Sequence, residues 1–92
     1  MNDTEKKIRI KRLKYRANHR GIKEMDIILG GFAHDKLEEL SDTELDDFEA
    51  LLSEHDRDLI IWFTGEKQFP ITRLQKIFDA ISRYLSTEKR NG

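Results

Sequence analysis

Apolar residues recur at helical spacing along nearly the whole of this chain, and that periodicity leaves little room for any fold but an α-helical one. A single proline, Pro70, interrupts the pattern, and the β-branched residues do not alternate as a half-buried strand requires. A first helix is expected from Thr4 or Glu5 to Asn18. Ile10, Leu13 and Ala17 then fall on its inner face, with Tyr15 near one edge. A second helix is expected from about Ile22 to Glu39. Met25, Ile28, Leu29, Phe32 and Ala33 mark its inner face, and Leu37 and Leu40 continue it. Gly30 and Gly31 lie inside that pattern, each costing about 1 kcal/mol against alanine. The apolar face resumes in register after them, so the helix is expected to run through.

Ser41, with Glu44 three residues on, has the spacing of a capping box and should open a third helix. Leu45, Phe48, Leu51 and Leu52 form its core face, while Asp46, Asp47 and Glu49 look outward. Asp56 or a neighbour should cap a fourth helix through Leu59–Phe63, with Gly65 as its stop. That helix is apolar on every side and is expected to be the most buried. Residues 67–70 read as a connector. A fifth helix follows from about Ile71 to Ser86, with Leu74, Ile77, Phe78, Ile81 and Leu85 inward, and residues 87–92 should fray. The expectation is an all-α, compact five-helix bundle. It forms a single small domain over residues 1–92, ordered from about 5 to 86, with Leu45, Phe48, Leu52, Leu59, Trp62, Leu74 and Phe78 in its core.

Charge is unevenly placed. The net charge of −1 conceals nine Lys and Arg with no acid between Lys6 and Lys23, and eleven Asp and Glu against Lys36 and Arg57 between Asp35 and Asp58. Two arrangements produce this pattern. Either the molecule is dipolar, with one basic and one acidic surface, or the two segments face each other within the domain.

Groups suited to catalysis are scarce. The chain has no cysteine, hence no disulfide, thiolate nucleophile or thiolate metal site, which fits a reducing compartment. His19, His34 and His55 are far apart and lack metal-ligand spacing. No phosphate loop, dinucleotide fingerprint or nucleophile elbow occurs. No apolar run approaches a membrane span or a signal-peptide core, and acids near the N-terminus argue against a transit peptide. The basic segment from Lys6 to Lys23 suits phosphate contacts, so a small nucleic-acid-binding or adaptor module is one reading. The acidic segment opposes a polyanion.

The stretch with most to say about function is Arg20-Gly21-Ile22-Lys23-Glu24-Met25-Asp26, at the joint between the first two helices. A glycine there implies a left-handed or tightly turned backbone and a surface that another backbone can approach. Gly21 is expected to be exposed, with Arg20 and Glu24 beside it on the surface. Those two residues are four apart and share a side if helical geometry holds across the joint. Taken alone, the stretch also fits an ordinary loop with an ion pair.

Arg20-Gly21-Ile22-Lys23-Glu24 matches the Arg-Gly-x-x-Glu signature of the succinate dehydrogenase assembly factors, and the chain resembles that family in context as well. Arg12-Leu13 and Tyr15-Arg16 precede the signature, and Glu24–Leu29 and Phe32 follow it. Leu40-Ser41-Asp42, Phe48, Leu51-Leu52 and the Asp56-x-Asp58-Leu59-x-x-Trp62-x-x-Gly65 stretch extend the likeness. The resemblance runs from about Arg9 to Ile81.

It implies a five-helix bundle that binds the FAD-loaded flavoprotein subunit of succinate dehydrogenase, with that of fumarate reductase as a second candidate. It would promote bonding of a partner histidine to the flavin methyl carbon, and leave before the partner joins its other subunits. The resemblance further implies no enzyme activity, no catalytic residue, no metal and no tightly held cofactor, since the FAD is held by the partner. Arg16, Arg20, Gly21, Ile22, Lys23, Glu24 and Asp26 are the implied partner-binding residues. Arg20 would pair with an acidic or carbonyl group near the flavin domain, Gly21 would admit close backbone approach, and Glu24 and Asp26 would fix the register. The free protein would be monomeric, without nucleic-acid binding or membrane insertion. It would be cytoplasmic in a bacterium and in the mitochondrial matrix in a eukaryote.

Overall fold

The computed structural model describes residues 2–87. Five α-helices follow one another: α1 (Asp3–Asn18), α2 (Lys23–Lys36), α3 (Asp42–Leu52), α4 (Asp56–Phe63) and α5 (Gln75–Thr87), with 3₁₀ turns at Leu37–Glu39 and Thr72–Leu74. No strand occurs among the described residues, and none of their helices is long and apolar enough to cross a membrane.

Helix α1 starts at Asn2, whose side chain accepts the Glu5 amide at 2.8 Å, with Asp3 and Glu5 in the first turn where the helix dipole favours acids. It buries Ile10, Leu13 and Ala17, as the spacing predicts. Helix α2 packs along α1 and runs unbroken through Gly30 and Gly31. Gly30 is buried where the end of α1 crosses. A Cβ there would overlap the Asn18 amide, whose Cγ would lie 2.8 Å away. Beside Gly31 the Tyr84 hydroxyl leaves ordinary van der Waals room, 3.4 Å from an added Cβ. The α-helical geometry stops at Lys36, and the expected end of this helix tightens into a 3₁₀ turn between the buried Leu37 and Leu40.

The capping box at α3 is present: Ser41 Oγ accepts the Glu44 amide at 3.2 Å, and Glu44 Oε1 accepts the Ser41 amide at 2.8 Å. Leu45, Phe48, Leu51 and Leu52 are buried. Glu49 and Asp46 stay on the solvent side of α3 as expected, but they are not left to water alone. Both turn toward α1 and receive Arg9, at 2.8 and 2.6 Å. Lys6 lies 3.9 Å from Asp42, Lys14 2.6 Å from Glu38, and Arg16 3.5 Å from Glu49. The basic and acidic segments therefore face each other inside the domain.

Helix α4 is not the most buried helix. Only Leu59 is fully enclosed, and Ile60, Ile61, Trp62 and Phe63 are half-buried, so Trp62 leaves the predicted core list. The connector supplies what α4 lacks. Phe69 is buried, meets Trp62 edge-on at 5.2 Å between ring centres, and stacks on Phe78 at 4.2 Å. Phe63 stacks on the same Phe78 at 4.6 Å, so α4 is held by one aromatic layer along one side. Gly65 ends it as expected, with a φ of 81° that favours glycine.

The fifth helix, expected from about Ile71, opens as the 3₁₀ turn Thr72–Leu74 and becomes α-helical only at Gln75. Leu74 of that turn and Ile77, Phe78 and Ile81 of α5 point inward as predicted, but Tyr84 is buried and Leu85 only half-buried. The Tyr84 hydroxyl donates to Asp35 Oδ2 at 2.5 Å, which allows a polar tip near the core's edge. Thr87 remains helical, and the rest of the segment expected to fray lies outside the described residues.

Three outcomes follow from this packing. Gly31→Ala should raise stability by about 1 kcal/mol, or about 4–8 °C in Tm by calorimetry, whereas Gly30→Ala should gain less because Asn18 must leave Lys14 O. Phe48→Ala, which empties a fully buried site, should cost about 3–5 kcal/mol in chemical denaturation. Hydrogen bonds from Lys14 to Glu38, and from Tyr84 and then His34 to Asp35, hold both carboxyls below their ordinary range. Their folded pKa values are depressed, so their contribution is complete above the unfolded carboxylate range and falls away as pH drops through the folded values. Acid melting curves of Lys14→Ala should show a smaller loss of Tm in that acidic window than wild type.

Candidate functional site

Between Asn18 and Lys23 the chain leaves one helix and enters the next, and Arg20 decides how. Its backbone N–H donates to Asp26 Oδ1 at 2.6 Å, an acceptor in the first turn of α2. Its guanidinium reaches away from α2. Nε donates to Asp56 Oδ1 at 2.7 Å, Nη2 to the Glu54 carbonyl at 2.7 Å, and Nη1 to the Leu52 carbonyl. The side chains of Arg20 and Asp56 are only 11% and 14% exposed. The second Asp56 oxygen accepts the Gly21 N–H at 2.9 Å. One carboxylate on α4 thus fixes both an arginine fork and the next peptide on the α1–α2 joint.

This corrects two expectations. Arg20 is not displayed on the surface beside Glu24. The joint breaks helical geometry, so the four-residue spacing no longer brings the two together, and Arg20 folds inward onto Asp56. Gly21 has no positive φ, since Gly65 is the only described residue that does. An added Cβ at Gly21 would sit an ordinary 3.5 Å from Asp56 Oδ2. Neither backbone angle nor internal packing requires glycine there, although it is exposed as predicted. The N-cap of α4 is the neighbour of Asp56, one of the two positions expected. His55 holds that position without a side-chain cap bond, and Asp56 is the first helical residue.

The other sequence-predicted residues divide by orientation. Ile22 is half-buried at the start of α2 and packs on the core. Arg16 is directed at Glu49, and Asp26 at the Arg20 amide. Lys23 and Glu24 are exposed, with no ion pair among the described residues. Gly21 sits between two depressions, of about 450 and 560 Å³. Tyr15, His19, Leu52 and Glu54 border the first, Arg57 and Asp58 the second, and His55 both. What the joint presents outward is a bare, rigidly held peptide flanked by one free cation and one free carboxylate. Among the described residues no group of three or more His, Asp or Glu side chains is placed to hold a metal ion.

The residues that sequence reasoning missed are Asp56 and the carbonyls of Leu52 and Glu54. They lie 32–36 positions from Arg20, and no local spacing signals the contact. Removing one partner of a largely buried ion pair leaves the other uncompensated, so Asp56→Ala should cost about 3–5 kcal/mol. Gly21→Ala and Glu24→Ala should each change stability by no more than about 0.5 kcal/mol, all three measured by urea denaturation.

With this geometry in place, comparison with known proteins is direct. Residues 11–85 match the family described as flavinator of succinate dehydrogenase. The chain is 40% identical over 91 residues to succinate dehydrogenase assembly factor 2, mitochondrial, of Schizosaccharomyces japonicus, covering 98% of this chain and 62% of that protein. It is 32% identical over 81 residues to the protein of the same name from Schizosaccharomyces pombe, covering 87% and 58%. It is 42% identical over 62 residues to FAD assembly factor SdhE of Acetobacter pasteurianus, covering 67% and 57%. The chain thus spans less than two thirds of each of these relatives. With most of its length matched, from the second half of α1 into the last turn of α5, this chain belongs to the flavinator of succinate dehydrogenase family.

Proposed function

We propose that this protein is an assembly factor. It binds the FAD-loaded flavoprotein subunit of succinate dehydrogenase, or of the related fumarate reductase, and promotes covalent attachment of the flavin. The observation that carries this reading is the Gly21 turn. It is exposed, free of side chain and clamped by Asp56, in a chain whose relatives are named for succinate dehydrogenase or FAD assembly. A rigid peptide with no Cβ suits close approach to another backbone, and its rigidity limits the entropy lost on docking.

The flavin and its acceptor histidine belong to the partner, and this chain supplies no atom of the new bond. Its part is to orient: Gly21 makes the close contact, Lys23 and Glu24 set the register, and Arg20, with Asp26 and Asp56, holds the turn in shape. On this reading the protein is not itself an enzyme and acts as a monomer. Its compartment is the cytoplasm in a bacterium or the mitochondrial matrix in a eukaryote. Nucleic acid is the weaker alternative, because Lys6, Arg9, Lys14 and Arg16 already face acids of the same domain.

Gly21→Arg and Glu24→Ala test the proposal. Both should melt near wild type and lose at least about 2 kcal/mol of binding to the FAD-loaded subunit, roughly thirtyfold in Kd. In-gel flavin fluorescence of the denatured subunit should fall with it. Full flavinylation by both variants would remove the joint as the docking site. Calorimetric titration of the isolated chain with FAD should show no heat of binding, and micromolar affinity would instead point to cofactor delivery.

A further inference from the structure

Helix α1 turns Ile10, Leu13 and Ala17 to the core, yet its opposite edge is not purely polar. At about 100° per residue, Ile8, Arg12, Tyr15 and His19 fall on one stripe about 60° wide, across the helix from Leu13 and Ala17. Ile8 is 52% exposed and Tyr15 65%, and with Ile27 they are the exposed large hydrophobics among the described residues. Solubility alone favours charged or polar side chains at such outward positions. Tyr15 is also held in place. Its ring stacks on His19 with centres 3.9 Å apart and planes 18° from parallel, and His19 Nδ1 lies 2.8 Å from the Tyr15 carbonyl. This aromatic plate borders the depression beside Gly21.

Charge follows the same division. The α1 bases that face α3 and the Leu37–Glu39 turn are committed to acids there. Lys7, Lys11 and Arg12 are exposed and have no ion pair among the described residues. The acids beside the stripe are Glu5 at its N-terminal end, Glu49, which is already held by Arg9 and Arg16, and Glu54, which borders the depression with Tyr15 and His19.

We propose that the Ile8–Arg12–Tyr15–His19 stripe is a second docking surface, continuous with the Gly21 turn, for an acidic surface of the flavoprotein that carries apolar side chains. This rests on the flavoprotein reading above and extends its footprint along the outer edge of α1. Continuity with the turn and the uncompensated cations select a protein of that chemistry. A lipid surface is disfavoured because a helix lying in a membrane interface needs a broad apolar face, and α1 has already buried its own in the core. A polyanion would meet few free cations here.

The test uses the full chain carrying Arg12→Glu, Arg12→Lys or Tyr15→Ala. Affinity for the purified FAD-loaded succinate dehydrogenase flavoprotein subunit is measured at low and high salt, beside Tm. Arg12→Glu and Tyr15→Ala should each weaken binding by about tenfold or more with Tm nearly unchanged. Arg12→Glu should also flatten the salt dependence, and Arg12→Lys should retain it. Wild-type affinity in Arg12→Glu and Tyr15→Ala, with wild type binding the subunit, overturns this inference and leaves the flavoprotein reading standing. Failure of the wild-type chain to bind the subunit overturns both. Two further results overturn the inference if subunit affinity is unchanged. One is pelleting with phosphatidylglycerol vesicles that Tyr15→Ala abolishes, which reassigns the stripe to lipid. The other is a dimer that Tyr15→Ala disperses, which reassigns it to a second copy.

Discussion

The guanidinium of Arg20 fastens the α1–α2 pair to the α3–α4 junction, and the shape of the exposed turn depends on it. Leu52 closes α3 and Glu54 lies just beyond, where a helix leaves carbonyls unsatisfied at the negative end of its dipole. Asp56 opens α4, at the positive end of the next dipole. A cation on the first and an anion on the second are each favoured by the helix they touch, and they bond to each other across the gap. Arginine suits this place better than lysine. A planar fork sends N–H groups to a carboxylate and to two carbonyls at once, while an ammonium is a single hydrated point charge. Desolvating both ions is costly, and the cost is offset only because every facing acceptor is used.

The surface pairs along α1 differ in kind. Arg9 with Asp46 and Glu49, or Lys14 with Glu38, sits near water and contributes little individually. Their value is in register. A one-residue rotation of α1 would carry Ile10, Leu13 and Ala17 off the core and Arg9 off its acids together, so apolar and ionic patterns select the same orientation. The strongly charged segments therefore fold against each other, and Lys7, Lys11 and Arg12 are what α1 leaves exposed without an ion pair among the described residues.

Periodicity exposed most of the fold because local spacing decides which side of a helix is apolar. Leu13, Met25, Phe48 and Ile81 were legible in that way, as was the Ser41–Glu44 box, whose partners are three residues apart. Trp62 and Tyr84 were not. Burial at the rim of a short helix depends on a neighbouring aromatic such as Phe69, and Tyr84 is tolerated inside because Asp35, 49 residues away, accepts its hydroxyl. The site was half legible. The exposed glycine and its flanking charges were found from the joint, but the inward turn of Arg20 was not, since its acceptors belong to another part of the chain.

The signature read as one contiguous motif is two sets of residues with opposite orientations. Arg20 and Asp26 spend their hydrogen bonds inside the domain, whereas Gly21, Lys23 and Glu24 face out. Loss of function at Arg20 is therefore no sign of contact with a partner. It would follow equally from a turn that has lost its clamp, and would be accompanied by lost stability. Loss at Gly21 or Glu24 with unchanged melting carries a different meaning, because nothing inside the domain depends on either side-chain position. Asp56 lies outside the signature altogether, yet both its oxygens are committed to the signature's first two residues. The unit that shapes the exposed turn is therefore Arg20, Gly21, Asp26 and Asp56, a set assembled by tertiary packing rather than by sequence proximity.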